Sequence, residues 1–166
     1  LRIINTGGTF NKRYDPLGGD LFVPADDLAV ERAIGPLGPG SGVKITGAIY
    51  KDSLQMDDAD RDLLCEIVAK SRERSIVVVH GTDTMHRSAE AIATRLGDET
   101  KKCVVLTGAM VPFSIDPVEA TANLSAAVTA AGLLGPGVYI AMHGLVLPYA
   151  EIVKNRERGR FERRAE

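Results

Sequence analysis

A three-layer α/β domain with a mostly parallel central sheet is the fold the sequence predicts, on two observations. Apolar runs of strand length alternate with segments whose apolar residues recur at helical spacing. Runs such as Ile76-Val77-Val78-Val79 are apolar throughout, as in strands covered on both faces. The 166 residues suffice for a sizeable core in a single domain, 1–166, which no repeat, low-complexity tract or long linker divides.

The elements follow in order. Residues 1–5 read as a strand ending in the turn Thr6-Gly7-Gly8-Thr9. Residues 11–24, rich in Gly, Pro and charge, predict a mobile loop. A short helix is expected over 26–33 and a strand over 43–50. A helix beginning near Asp57 should turn Leu63, Leu64, Ile67 and Val68 to one face. The strand 75–80 turns at Gly81 into a helix with Met85, Ala89, Ile92, Ala93 and Leu96 inward. After a strand at 103–106, Asp116-Pro117-Val118-Glu119 supplies an N-cap, a proline at the first helical position and the glutamate of a capping box. The helix that follows carries Ala120, Leu124, Ala127, Val128 and Ala131 inward. Strands at 137–142 and 145–147 come next, and the charged tail, 154–166, reads as a solvated helix or frayed terminus.

Composition narrows the function. A net charge of −2 offers no pull toward nucleic acid or an anionic membrane. Apolar runs fall far short of the roughly 20 residues of a membrane span. The first residues read as a strand and glycine turn, not a leader, so a cytoplasmic location is the default expectation. Cys65 and Cys103 are expected as buried small apolar residues, with no disulfide or thiol chemistry. With His80, His86 and His143 they show no zinc-ligand spacing, and neither a metal nor a cofactor is expected.

Ligands of open α/β sheets bind where strands end. Three turns there are rich in hydroxyls, carboxylates and glycine. Thr6-Gly7-Gly8-Thr9 places two hydroxyls beside glycines that let backbone approach a ligand. It lacks the spacing and lysine of a phosphate loop, and by itself also reads as an ordinary tight turn. His80-Gly81-Thr82-Asp83-Thr84-Met85 ends a buried strand at a helix N-terminus, where free N–H groups favour a carboxylate or oxyanion. Helix capping accounts for one of Asp83 and Thr84 but leaves two polar residues unexplained. Lys51-Asp52-Ser53-Leu54-Gln55-Met56-Asp57 is a weaker signal, since Asp and Ser are common turn formers. A threonine nucleophile needs a base of lowered pKa, for which Tyr14 and Lys154 are available.

These residues resemble a known family. Thr6-Gly7-Gly8-Thr9 is similar to the TGGT signature of bacterial-type L-asparaginases, and Val77-Val78-Val79-His80-Gly81-Thr82-Asp83-Thr84-Met85 to their second signature. Agreement extends to Asp52-Ser53, Leu106-Thr107-Gly108-Ala109-Met110-Val111-Pro112, Asn123-Leu124 and Ile152-Val153-Lys154. The resemblance implies an L-asparaginase that hydrolyses the side-chain amide of L-asparagine to L-aspartate and ammonia. It implies Thr9 as nucleophile, a structural Thr6, and a cluster of Thr82, Asp83 and Lys154 that polarises a hydroxyl and activates water. Asp83 then also anchors the substrate α-ammonium, Ser53 (next to Asp52) binds the α-carboxylate, and the Ala109 backbone lies near the amide. Tyr14 fills the place of the mobile-loop tyrosine. Backbone N–H groups at Gly8-Thr9 and Gly81-Thr82 are the natural oxyanion donors.

Two departures from the family bear on the site. The chain stops soon after Lys154, so the smaller C-terminal domain of the usual member is expected to be lacking, and Leu54 replaces a polar substrate contact. A more open site follows, and residues 155–166 are expected to pack against a neighbouring subunit. On family grounds a homodimer or homotetramer is expected, with L-asparagine or L-glutamine as substrate and neither nucleic acid nor membrane as partner. The alternative is a non-catalytic amino-acid-binding module derived from an asparaginase, against which the retained Thr9, Thr82, Asp83 and Lys154 count. A third reading, the asparaginase-like part of a tRNA-dependent amidotransferase, is disfavoured by the acidic charge and the lack of an RNA-binding appendage.

Overall fold

The computed structural model describes residues 1–37 and 42–165. Strand β1 (Arg2–Gly7) enters a single helical turn, α1 (Gly8–Asn11), and then a hairpin of β2 (Arg13–Asp15) and β3 (Asp20–Phe22). Helix α2 (Leu28–Ile34), strand β4 (Lys44–Lys51), helix α3 (Asp58–Lys70) and strand β5 (Ser75–Val79) follow. Helix α4 (Met85–Leu96), strand β6 (Cys103–Thr107), helix α5 (Pro117–Leu133), and strands β7 (Gly137–Met142) and β8 (Leu145–Pro148) complete the main layers. A second hairpin, β9 (Ile152–Asn155) and β10 (Arg160–Arg163), closes the chain.

The central sheet runs β4-β1-β5-β6-β7-β8, parallel except for β8, which pairs antiparallel with β7. Its strands are apolar throughout because alternate residues enter two cores. Ile4, Ile76, Val78, Val104 and Leu106 meet Leu64 and Val68 of α3 and Met85, Ala89 and Ile92 of α4. Ile3, Val77, Val79 and Val105 meet Ala29 and Val30 of α2 and Ala120, Leu124 and Ala127 of α5. This is the predicted three-layer arrangement. Cys65 and Cys103 are free and buried in opposite cores, and burial pushes both thiols up. Among the described residues no helix is long and apolar enough to cross a membrane.

Four local expectations are corrected. Residues 11–24 form a hairpin instead of a loop, because Asp15 ties the turn by accepting from Leu17 N (2.9 Å) through its side chain and from Gly19 N (2.8 Å) through its carbonyl. Leu63 is 45 % exposed; the inward stripe of α3 runs through Arg61, Leu64, Cys65 and Val68. Asp116 caps Val118 N as expected, but Glu119 makes no capping box. Its carboxylate is drawn to the N–H groups of Met110 (2.9 Å) and Val111 (3.0 Å) in the loop after β6, which have no helical or sheet partner.

The fourth concerns the tail, which is neither helical nor frayed. Phe161 is 5 % exposed and joins Leu147 and Ile152 in the core on the α4 side, while the charged residues point outward. Asn155 Nδ2 donates to Glu162 Oε1 (2.7 Å) and Asn155 Oδ1 accepts from Arg158 N (3.0 Å), fixing the turn. Residues 155–165 thus pack on their own domain; Glu166 lies outside the described residues.

Candidate active site

The helices after β1 and β5 lie on opposite faces of the sheet, which makes the gap between the carboxyl ends of these two strands the topological switch point. Three glycines let four chain segments touch there. A Cβ on Gly8 (φ 69°) would lie 2.4 Å from Gly81 N, one on Gly81 2.6 Å from Ser53 Cβ, and one on Gly108 2.3 Å from His80 O. The turns after β1, β4, β5 and β6 are therefore stacked closely, and Thr9, Ser53, Thr82 and Ala109 become neighbours in space. Ile49 and Tyr50 have left-handed φ values (74° and 52°) where β4 bulges away from β1, and this bend delivers Asp52 and Ser53 to the cluster.

Lys154, carried on β9, is the charged centre of the site. Its Nζ donates to Thr82 Oγ1 (2.8 Å) and to Asp83 Oδ1 (2.9 Å), and Arg156 Nη1 approaches the same Asp83 oxygen at 3.1 Å. The Thr82 hydroxyl thus accepts from an ammonium while its own proton faces the thioether of Met110 (3.4 Å). An ammonium so placed stabilises negative charge developing on that oxygen.

Thr9 sits half-buried in α1, and Thr6 is tied down by donating to Val79 O (2.9 Å). Ser53 is 1 % exposed; its Oγ accepts from Thr84 N (3.4 Å) and its carbonyl from Thr84 Oγ1 (2.8 Å). Asp52 caps Leu54 N and pairs with Lys12 Nζ at 2.6 Å. Burial works to raise the Asp52 pKa, but the Lys12 ammonium, the Leu54 N–H and Lys154 outweigh it and hold the carboxyl below its ordinary value. Ala109 is fully buried. Tyr14 stands 59 % exposed on β2, outside the Lys154–Thr82–Asp83 network.

Several residues take supporting roles that the sequence does not announce. His80 is fully buried; its Nδ1 donates to Gly81 O (2.8 Å), which leaves Nε2 to accept from Ser88 Oγ (2.8 Å). Burial first, and Arg61 second, push its pKa down to about 4, so the ring is a neutral brace of the Gly81 turn. His143 Nε2 meets Glu119 Oε1 (2.9 Å) and its Nδ1 accepts from Phe161 N (3.1 Å), linking the Lys154 hairpin to the Ala109 loop. Lys12, Glu119, His143 and Arg156 lie in stretches of ordinary surface composition, and only their contacts reveal them.

A mostly parallel sheet whose switch point gathers two threonine-bearing glycine turns and a lysine fits the family that the sequence motifs resemble. Residues 1–161 match the family described as "Asparaginase, N-terminal", and the chain belongs to that family. A glutamyl-tRNA(Gln) amidotransferase subunit of Methanococcus maripaludis is 32 % identical over 152 residues, covering 87 % of this chain and 35 % of that protein. L-asparaginase of Thermococcus kodakarensis is 28 % identical over 143 residues, covering 85 % of this chain and 43 % of that protein. The chain therefore spans less than half the length of these two relatives. Among solved structures, the thermostable L-asparaginase from Thermococcus kodakarensis superposes with a TM-score of 0.81 at 24 % identity, over 98 % of this chain and 50 % of that one. L-asparaginase I from Vibrio cholerae gives 0.77 at 23 % identity, over 98 % and 50 %.

Proposed function

We propose that the chain hydrolyses the side-chain amide of L-asparagine to L-aspartate and ammonia, with Thr9 as nucleophile. The observation that carries this reading is Lys154 Nζ within hydrogen-bond reach of both Thr82 Oγ1 and Asp83 Oδ1, on a turn whose backbone touches Gly8. Thr9 Oγ attacks the amide carbon, the C–N bond breaks, and the nitrogen leaves as ammonia with the proton given up by Thr9. Water then attacks the acyl ester, with Thr82, Asp83 and Lys154 positioning and activating it, and aspartate leaves as Thr9 recovers its proton. N–H groups of Gly8-Thr9 and Gly81-Thr82 face the oxyanion. Ser53 receives the α-carboxylate and Asp83 the α-ammonium, and Tyr14 of the β2–β3 hairpin is assigned the role of the tyrosine beside the nucleophile. Glutamine is discriminated by one methylene, worth only about 1–3 kcal/mol. A cytoplasmic homo-oligomer completes this reading.

The 32 % identity to an amidotransferase subunit favours a second one, in which the ammonia serves an amidotransferase that acts on glutamyl-tRNA(Gln). The test is ammonia release from L-asparagine and L-glutamine by purified wild type, Thr9→Ala and Thr82→Val. Turnover by wild type alone, lost in both variants, is the expected result. Release that requires glutamyl-tRNA(Gln) and further subunits transfers the assignment to the second reading. No release, with asparagine still raising the melting temperature, makes the chain a binding module.

A further inference from the structure

Between α4 and the β9–β10 hairpin lies a pocket of about 170 Å3 that shares one wall with the proposed reaction site and whose floor and rim the reaction does not use. Thr82, Asp83 and Lys154 form one wall, while Thr9 and Ser53 are not among the residues lining it. The floor is apolar, made by Ile140, Ile152 and Phe161, and the rim carries Arg156, Arg164 and His86. Three cations, Lys154, Arg156 and Arg164, face a single carboxylate, Asp83, which leaves two positive charges in excess. That carboxylate is already shared, since Lys154 and Arg156 both bind its Oδ1.

His86 reports the same field. Its pKa is lowered, first by burial and then by Arg87, Arg164 and Arg156, with Glu90 the one acid opposing them. The backbone that carries this rim is tied to the domain. Arg164 N donates to Glu151 O (2.7 Å), and Phe161 N, three residues earlier, donates to His143 Nδ1 (3.1 Å). Two guanidiniums at the rim of an apolar floor suit oxygen pairs, because each planar fork can bind two oxygens at once.

We propose that this pocket is a binding site for a compact oxyanion, a carboxylate or phosphate group, held by Arg156 and Arg164 beside Lys154. The occupant takes the fork of Arg156 from Asp83 and leaves that carboxylate to Lys154 alone. Its existence is independent of the reaction assigned to Thr9.

Calorimetric titration of inorganic phosphate and of succinate into the wild-type chain, at constant ionic strength set by chloride, tests the site. Saturable one-site binding in the millimolar range or tighter is expected for at least one of them, and which one binds assigns phosphate or carboxylate. The double variant Arg156→Gln/Arg164→Gln, both exposed positions whose fold is checked by circular dichroism, should bind at least about tenfold more weakly. Thr9→Ala should bind as wild type does, even if the chain releases no ammonia. No saturable binding, equal binding by the folded double variant, or loss of binding in Thr9→Ala overturns the proposal.

Discussion

His80 stands in the second glycine turn but does not face the reaction: its two nitrogens are spent on Gly81 O and Ser88 Oγ. Its neutrality has a thermodynamic consequence. The native pKa is about 4, while the unfolded ring titrates near 6.5, so between these values the unfolded chain binds more protons. Stability is therefore retained above about pH 6.5 and falls as pH drops toward 4, by roughly 3 kcal/mol for this one group. Urea unfolding of wild type and His80→Gln across this range should show a flatter pH slope in the variant. A parallel slope would place the loss elsewhere. The same residue scale separates the threonines: Thr6 spends its hydroxyl on the sheet, whereas Thr82 holds its own against the Lys154 ammonium and a thioether.

At the scale of elements, the site depends on a tight stack of turns and on one short hairpin. Gly8→Ala inserts a methyl 2.4 Å from Gly81 N at a left-handed φ of 69°. Overpacking and backbone strain together should cost about 2–4 kcal/mol, and the separation of the two turns should abolish turnover. A thermal melt beside an ammonia assay checks both; an unchanged melting temperature would mean the stack yields more readily than this contact implies. Phe161 anchors the hairpin that carries Lys154 on its other strand, in register opposite Phe161 itself. Phe161→Ala should destabilise by about 3–5 kcal/mol and lower kcat through misplacement of Lys154. Full activity in a folded Phe161→Ala chain would show that β9 positions Lys154 without β10.

For the whole molecule, the hairpin settles what the charged tail does. Because β10 pairs with β9 and buries Phe161, ending the chain at Asn155 should lower the melting temperature of the protomer itself and remove activity with it. Sedimentation of the same truncated chain asks separately whether the tail also joins subunits. A truncated chain with wild-type melting and turnover would make the hairpin dispensable. The layers, the sheet and the turns bearing Thr9, Ser53 and Thr82 were legible in the sequence, because continuous apolar strands and helical periodicity record burial locally. Legible too, through the resemblance of its motifs, was the grouping of Lys154 with Thr82 and Asp83. The β9–β10 hairpin was not, because one Phe among mostly charged neighbours leaves no periodic trace, and its burial depends on a core assembled from distant strands. The contacts of Glu119, His143 and Arg156 escaped for the same reason: their partners lie 8 to 73 residues away, where ion pairs and hydrogen bonds are fixed only once the helices have packed. Patterning determined which strands and turns exist; tertiary packing decided what each charged side chain holds.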